Sequence, residues 1–217
     1  MNKMTKDKLF FDLETVADET ALVHYPEPLP DARLKDPEKI ARSIEEKKAG
    51  MIEKAPLNPA TTKIVALGFH LGDDSGVFVE RENETKLLEN FWRLYNDADG
   101  RCVGYNILGY DLPVILRRSA LLGVLPYGPD VELRRYVDFP ITDLMQILSN
   151  WNFQKWESLK LVTKLFDLPV EFDEEDSGEF VQYMTDDQLM DYCMKDVSAI
   201  WHLYHKMNHV YFSHLGG

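Results

Sequence analysis

The sequence predicts an α/β fold in which a mixed central sheet is flanked by helices. Three observations carry that prediction. Leu9 to Thr15 reads as a strand that is apolar on both faces at its start, and such a strand belongs in the middle of a sheet covered on both sides. Lys63 to His70 is a second, strongly apolar strand, which the turn Gly72 to Gly76 folds back onto Val77-Phe78-Val79. Beyond Asn83 the apolar residues recur at helical spacing, as in Leu87, Leu88, Phe91, Trp92 and Tyr95. The early strands are close enough to pair antiparallel, while the helical connections allow parallel additions.

In chain order, the strand Leu9 to Thr15 puts Leu9, Phe11 and Leu13 on one face and Phe10, Asp12 and Glu14 on the other. Asp18 to Pro59 begins as a loop, because Pro26, Pro28 and Pro30 do not sit inside regular elements. Asp36 then reads as an N-cap with Pro37 at the first helical position, opening a helix to Lys48 or Lys54. That helix carries Ile40 and Ile44 on one face with Lys39, Arg42, Lys47 and Lys48 around it. It reads either as a solvated charged helix or as a flap touching substrate phosphates. Arg101 to Tyr105 is a strand, and Leu112 to Leu122 a helix with Pro113 in its first turn. Tyr136-Val137-Asp138 reads as a short strand before a helix over Thr142 to Leu148, and Ser158 to Phe166 as a further helix. Asp173 to Glu179 is an acidic loop, after which Asp186-Asp187 caps a long last helix, Gln188 to Tyr211.

The length of 217 residues suits one medium domain. No apolar run has transmembrane length, and the polar stretch Met1 to Lys8 is not a signal peptide, so no membrane partner is expected. Cys102 and Cys193 show no paired or metal-ligand spacing, which fits a reducing cytoplasm. The formal net charge of −13 argues against a protein that coats nucleic acid through clustered Lys and Arg. An enzyme holding a few nucleotides at an acidic, ion-filled site remains compatible, because the ions set the local charge.

Three acidic positions stand out. Asp12 and Glu14 end the first strand on one face, and two like charges about 4 Å apart cost on the order of 4 kcal/mol at an effective dielectric near 20. A divalent cation is the simplest way to offset that repulsion; an edge strand with a solvated end is the other reading. Asp111 lies just after a strand, as a candidate ligand or a helix N-cap. Asp196 sits inside the last helix with Tyr192 one turn earlier, on a face that also carries Leu189, Ile200 and Leu203. An Asp on an inward face is costly unless it is paired or ligating. Pairing with Lys195 or with a neighbouring helix is the alternative for Asp196, and packing as a core aromatic the alternative for Tyr192.

Together these segments resemble the DEDD superfamily of 3′→5′ exonucleases, on the ribonuclease H-like fold. Phe11-Asp12-Leu13-Glu14-Thr15 is similar to its first motif, Gly104 to Pro113 to its second, and Tyr192-Cys193-Met194-Lys195-Asp196-Val197 to its third, in the form with Tyr four before the Asp. The wording of the last two is closest to predicted exonucleases related to the proofreading domain of family B DNA polymerases. The resemblance implies one exonuclease domain over 1–217, with a loop and basic helix inserted at about 18–59. It implies two divalent cations, Mg²⁺ or Mn²⁺, held by Asp12, Glu14, Asp111 and Asp196. Asp12 would bridge the ions, Glu14 and Asp196 would complete the one beside the attacking water, and Asp111 would hold the second through water. Tyr192 would orient the attacking water, since an unperturbed Tyr titrates near pH 10. Leu13 and Thr15 would lie against the terminal nucleotide, Asn106 would make a polar contact near the strand end, and Asp143 would be an N-cap or support the ligands. The partners implied are 3′ ends of single-stranded nucleic acid, DNA favoured over RNA. Arg117, Arg118, Arg134 and Arg135 read either as ordinary solvated arginines or as basic surface lining the cleft, which a protein partner or second subunit would otherwise supply.

Overall fold

The computed structural model describes residues 7–173 and 178–212. Most of the acidic loop expected at Asp173 to Glu179 therefore lies outside the described residues, as do most of the polar N-terminal residues and the last few of the chain.

Five strands form one mixed sheet in the order β3-β2-β1-β4-β5. They are β1 (Leu9–Ala17), β2 (Thr62–Leu71), β3 (Asp74–Val79), β4 (Cys102–Gly104) and β5 (Ile141–Asp143). The first three pair antiparallel, while β1 with β4 and β4 with β5 run parallel. β1 is thus central, as its two apolar faces require. The helices are α1 (Glu19–Leu22), α2 (Pro37–Lys54), α3 (Glu84–Asp97), α4 (Asp111–Leu122), α5 (Leu144–Leu148), α6 (Leu159–Leu165) and α7 (Asp186–Met207).

The period-two reading of β1 sorts its side chains between two cores. Leu9, Phe11 and Leu13 pack with Leu87, Leu88, Phe91, Trp92 and Tyr95 of α3 and Leu112, Val114 and Ile115 of α4. Phe10 packs on the opposite face with Val197, Ile200, Leu203 and Tyr204 of α7, and with Leu144 and Val162 from α5 and α6. Each fully buried side chain of this kind contributes about 1.5–3 kcal/mol.

Local chemistry moves several boundaries. The β2–β3 turn is tighter than Gly72 to Gly76, because Leu71 already pairs with Asp74 and Gly72 takes the left-handed backbone (φ 62°). No strand forms at Tyr136-Val137-Asp138: Tyr136 is itself left-handed (φ 65°), and β5 begins only after the cis Phe139-Pro140 bond, where Ile141 pairs with Cys102. The following helix starts at Leu144, capped by Asp143. The last helix is capped by Thr185 rather than Asp186-Asp187, through a reciprocal capping box with Gln188. The two Asp residues occupy its first turn, where they favour the helix dipole. It leaves α-helical geometry at Met207 and continues as a π turn, Asn208–Phe212. Within the stretch read as loop, Asp18 caps the short α1.

Arg118 does not line a cleft. It is buried, and its guanidinium donates to both Glu84 oxygens and, at 2.5 Å, to Asp18. Glu84 also accepts the Ile64 N–H at 2.8 Å. This one side chain therefore ties the end of β1 to the start of β2, α3 and α4. Arg134 is spent on Glu132 at the surface, leaving Arg117 and Arg135 exposed.

Candidate active site

The site forms where β1 and β4 part. Their parallel pairing covers only Leu9 and Phe10, and β4 ends at Gly104. Leu9 donates its N–H to the β4 side, so by alternation Leu13 does as well. The Leu13 N–H is taken by the Asp111 carboxylate, which also accepts its own backbone N–H at the start of α4. Asp111 is thus not the helix N-cap; Tyr110 holds that position. A residue 98 positions along the chain reaches the strand end because the sheet opens a crevice beside β1.

The other wall is α7. Asp12 pairs across the sheet with Gly68, and Glu14 with Ala66. A Cβ at Gly68 would lie 2.8 Å from both Cys193 Sγ and Val197 Cγ2. Only glycine there lets α7 settle onto the strand pair, a signal available in the sequence as a glycine inside a strand but not read from it. Cys193 is drawn into the cluster as a result: its sulfur and one oxygen each of Asp12 and Glu14 all lie within 4.8 Å of one another. Burial, then the charges of Glu14, Asp12 and Asp196, push the Cys193 thiol up, so it stays protonated. Hard cations take oxygen, which leaves the thiol as a packing group.

The charges record the convergence. Asp12 is grazed by solvent, yet the chain crowds its carboxylate enough that burial is the leading cause of its raised pKa, followed by Asp196, Asp111 and Glu14. Glu14 is raised by burial, then by Asp196 and Asp111. Asp111 is lifted to about 7 by burial, with Asp143 and Asp196 adding and the two backbone N–H groups opposing. Glu14 Oε1 is buried and has no hydrogen-bond partner among the described residues. Carboxylates that repel one another, with a buried oxygen left over, fit divalent cations of the oxygen-seeking kind.

Supporting groups surround this centre. Asp143 caps α5 through the Gln146 N–H and also accepts the Asn106 and Leu108 N–H groups at 3.0 Å. It holds Asn106 in a left-handed turn (φ 65°), with Asn106 Oδ1 buried and unpartnered. A bulge at Glu14/Thr15 turns the Thr15 hydroxyl onto Pro56 O (3.1 Å) and the Tyr110 hydroxyl (2.8 Å). Leu13 stays in the α3-side core. Tyr192 is half-buried one turn before Asp196 and packs against Val65, Ala66, Val181 and Leu189. Lys195 reaches Asp173 and Asp191.

A family model described as a predicted 3′-5′ exonuclease related to the exonuclease domain of PolB matches residues 63–213. The chain belongs to this exonuclease family. No curated protein matches it. Asp111, Tyr192 and Asp196 fall inside the matched residues, while Asp12 and Glu14 on β1 precede them and join through the sheet. The mixed sheet and its flanking helices are the ribonuclease H-like fold of exonucleases. No helix among the described residues is long and apolar enough to cross a membrane.

Two expected results follow from this geometry. Gly68→Ala should cost about 1–3 kcal/mol through overpacking and lift Asp196 away from Asp12. Nuclease activity should fall well beyond what the lowered melting temperature explains; unchanged melting and activity would remove Gly68 from the site's construction. The second concerns pH. Asp111 keeps its proton in the folded chain up to about 7, whereas its unfolded value is 3.8. The folded state therefore holds the extra proton between those values, and that part of the stability is present at low pH and lost as pH rises through the window. In EDTA, the parent should melt lower at pH 8 than at pH 5, Asp111→Asn should reduce the difference while the raised Asp12 and Glu14 keep part of it, and Mn²⁺ should restore more stability at pH 8. Equal metal effects at both pH values would contradict the cluster's charge balance.

Proposed function

We propose that this chain is a two-metal-dependent 3′→5′ exonuclease that removes nucleotides from the 3′ ends of single-stranded DNA, in a reducing, cytoplasmic setting. The observation that carries the reading is the meeting of Asp12, Glu14, Asp111 and Asp196, from three separated segments, around one crevice of an exonuclease-family fold. Asp12, Glu14 and Asp196 would hold one Mg²⁺ or Mn²⁺, with Asp111 holding the second and Asp12 shared between them. Bound there, such ions acidify a water and stabilise charge on the leaving 3′ oxygen.

The chain's own groups do the positioning. The Tyr192 hydroxyl orients the attacking water, and α7 fixes its height relative to Asp196 by the one-turn spacing. The β1 backbone at Leu13 and the Thr15 side chain form the floor against the terminal nucleotide, with the Thr15 hydroxyl held by Tyr110 and Pro56. Asn106, whose backbone N–H is held by Asp143, makes a polar contact with the substrate near the strand end.

End-labelled single strands incubated with Mg²⁺ or Mn²⁺ test the reading. A ladder shortening from the 3′ end is expected, faster on DNA than on RNA. Faster RNA trimming would make the enzyme an exoribonuclease, and no trimming with either ion would defeat the proposal. Tyr192→Phe should slow hydrolysis by about 10²-fold, the lower end of what a positioned proton-handling group contributes; an unchanged rate would exclude Tyr192 from the mechanism.

A further inference from the structure

An acidic chain whose arginines are largely engaged elsewhere must grip a strand by some means other than bulk charge. Past the short helix α5, one short segment holds aromatic rings outward. Phe153 is 69% exposed and Trp156 45%, with ring centroids 6.5 Å apart at 80°. Tyr136, 74% exposed, lies 5.2 Å from the Trp151 ring. Exposed Gln154 and Lys155 stand between Phe153 and Trp156.

The segment is built to present them. Asn150 and Trp151 are consecutive left-handed residues (φ 51° and 59°), costly for side chains of this kind unless the surroundings hold them. Asn152 accepts the Gln154 N–H, and the Lys155 N–H bonds the Asn152 carbonyl. The turn is also joined to the crevice: Tyr105, between the end of β4 and Asn106, donates its hydroxyl to the Glu157 carbonyl at 2.6 Å. Trp156 is therefore pinned one residue from a contact that reaches the β4 end of the site.

We infer that Phe153 and Trp156, extended by Tyr136 and Trp151, form a stacking platform for the bases of a single strand whose 3′ end occupies the carboxylate site. The inference rests on the exonuclease reading above. Rings accept any base, so the platform grips without sequence preference. Lys155 supplies a cation for the backbone between the two rings. A grip of this kind suits a net charge of −13, because stacking does not depend on counterion release.

The test compares the parent with a Phe153→Ala/Trp156→Ala double variant on oligothymidylates of increasing length, with Mn²⁺. In the parent, KM should fall steeply once the strand is long enough to reach the rings. In the variant that length dependence should vanish, leaving KM for the longest strand about 10-fold or more higher. Parent affinity should also vary only shallowly with salt, as for one or two phosphate contacts. An unaltered length dependence, or a steep salt slope, overturns the platform. So does a variant that binds strands normally but loses self-association, which would make the aromatic face a protein contact. If the parent cleaves no strand of any length, the exonuclease reading fails and the platform is read separately in EDTA. Quenching of tryptophan fluorescence by oligothymidylate, weakened in the variant, would then sustain it, and absence of quenching would end it.

Discussion

Asp12→Asn should reduce metal-dependent hydrolysis by about 10³-fold or more, equivalent to roughly 4 kcal/mol of transition-state stabilisation. Asp12 sits where the charges of Glu14, Asp111 and Asp196 all meet, so its loss weakens both proposed ion positions at once. The amide keeps the side chain's shape and removes only the charge. It also relieves repulsion, so the variant should melt no lower than the parent in EDTA, and higher at pH 8. This opposition of stability and activity separates a ligand from a structural residue. A variant that loses activity only because it unfolds, or one that digests 3′ ends at the parental rate, would contradict the assignment. Added Mn²⁺ should raise the melting temperature of the parent much more than that of the variant, since an ion that binds only the folded chain stabilises it by mass action.

Arg118→Met should be the most damaging single change to folding, at about 3–5 kcal/mol. Methionine fills a similar volume, so little of the loss comes from packing. The cost arises because Glu84 and Asp18 are left as buried carboxylates without their cation. Asp18 is held below its usual range: burial works against this, but bonds from Thr20 and Arg118 and the Arg118 charge outweigh it. For a chain of this size the melting temperature should fall by about 10 °C, on a scale of roughly 2–4 °C per kcal/mol. Converting Glu84 to Gln in the same chain should recover part of the loss by removing one stranded charge. A loss under about 1 kcal/mol for Arg118→Met would show that the network is not what joins the end of β1 to α3 and α4.

Much of this molecule is legible along the chain. Alternation in Leu9 to Glu14 assigned Phe11 and Phe10 to opposite cores, because side-chain direction in a strand depends only on parity. Capping chemistry placed α2, since Asp36 and Pro37 act within a few residues of each other. Asp12 and Glu14 on one strand face and Asp196 on an inward helix face stood out by spacing, whereas their joining with Asp111 in one set came from the resemblance to the exonuclease family. Arg118 shows the limit: as a sequence position it is one of two adjacent arginines, and nothing local tells which turns inward.

What only the tertiary structure decided are the relations between segments far apart in the chain. Gly68 matters because Cys193 and Val197 press on it, Asp111 matters because β4 leaves the Leu13 N–H open, and β5 lies where Ile141 finds Cys102. The physical reason is range. Parity, propensity and capping act over a few residues and are written into local order, whereas burial, charge coupling and close approach depend on distances through space that no local pattern encodes.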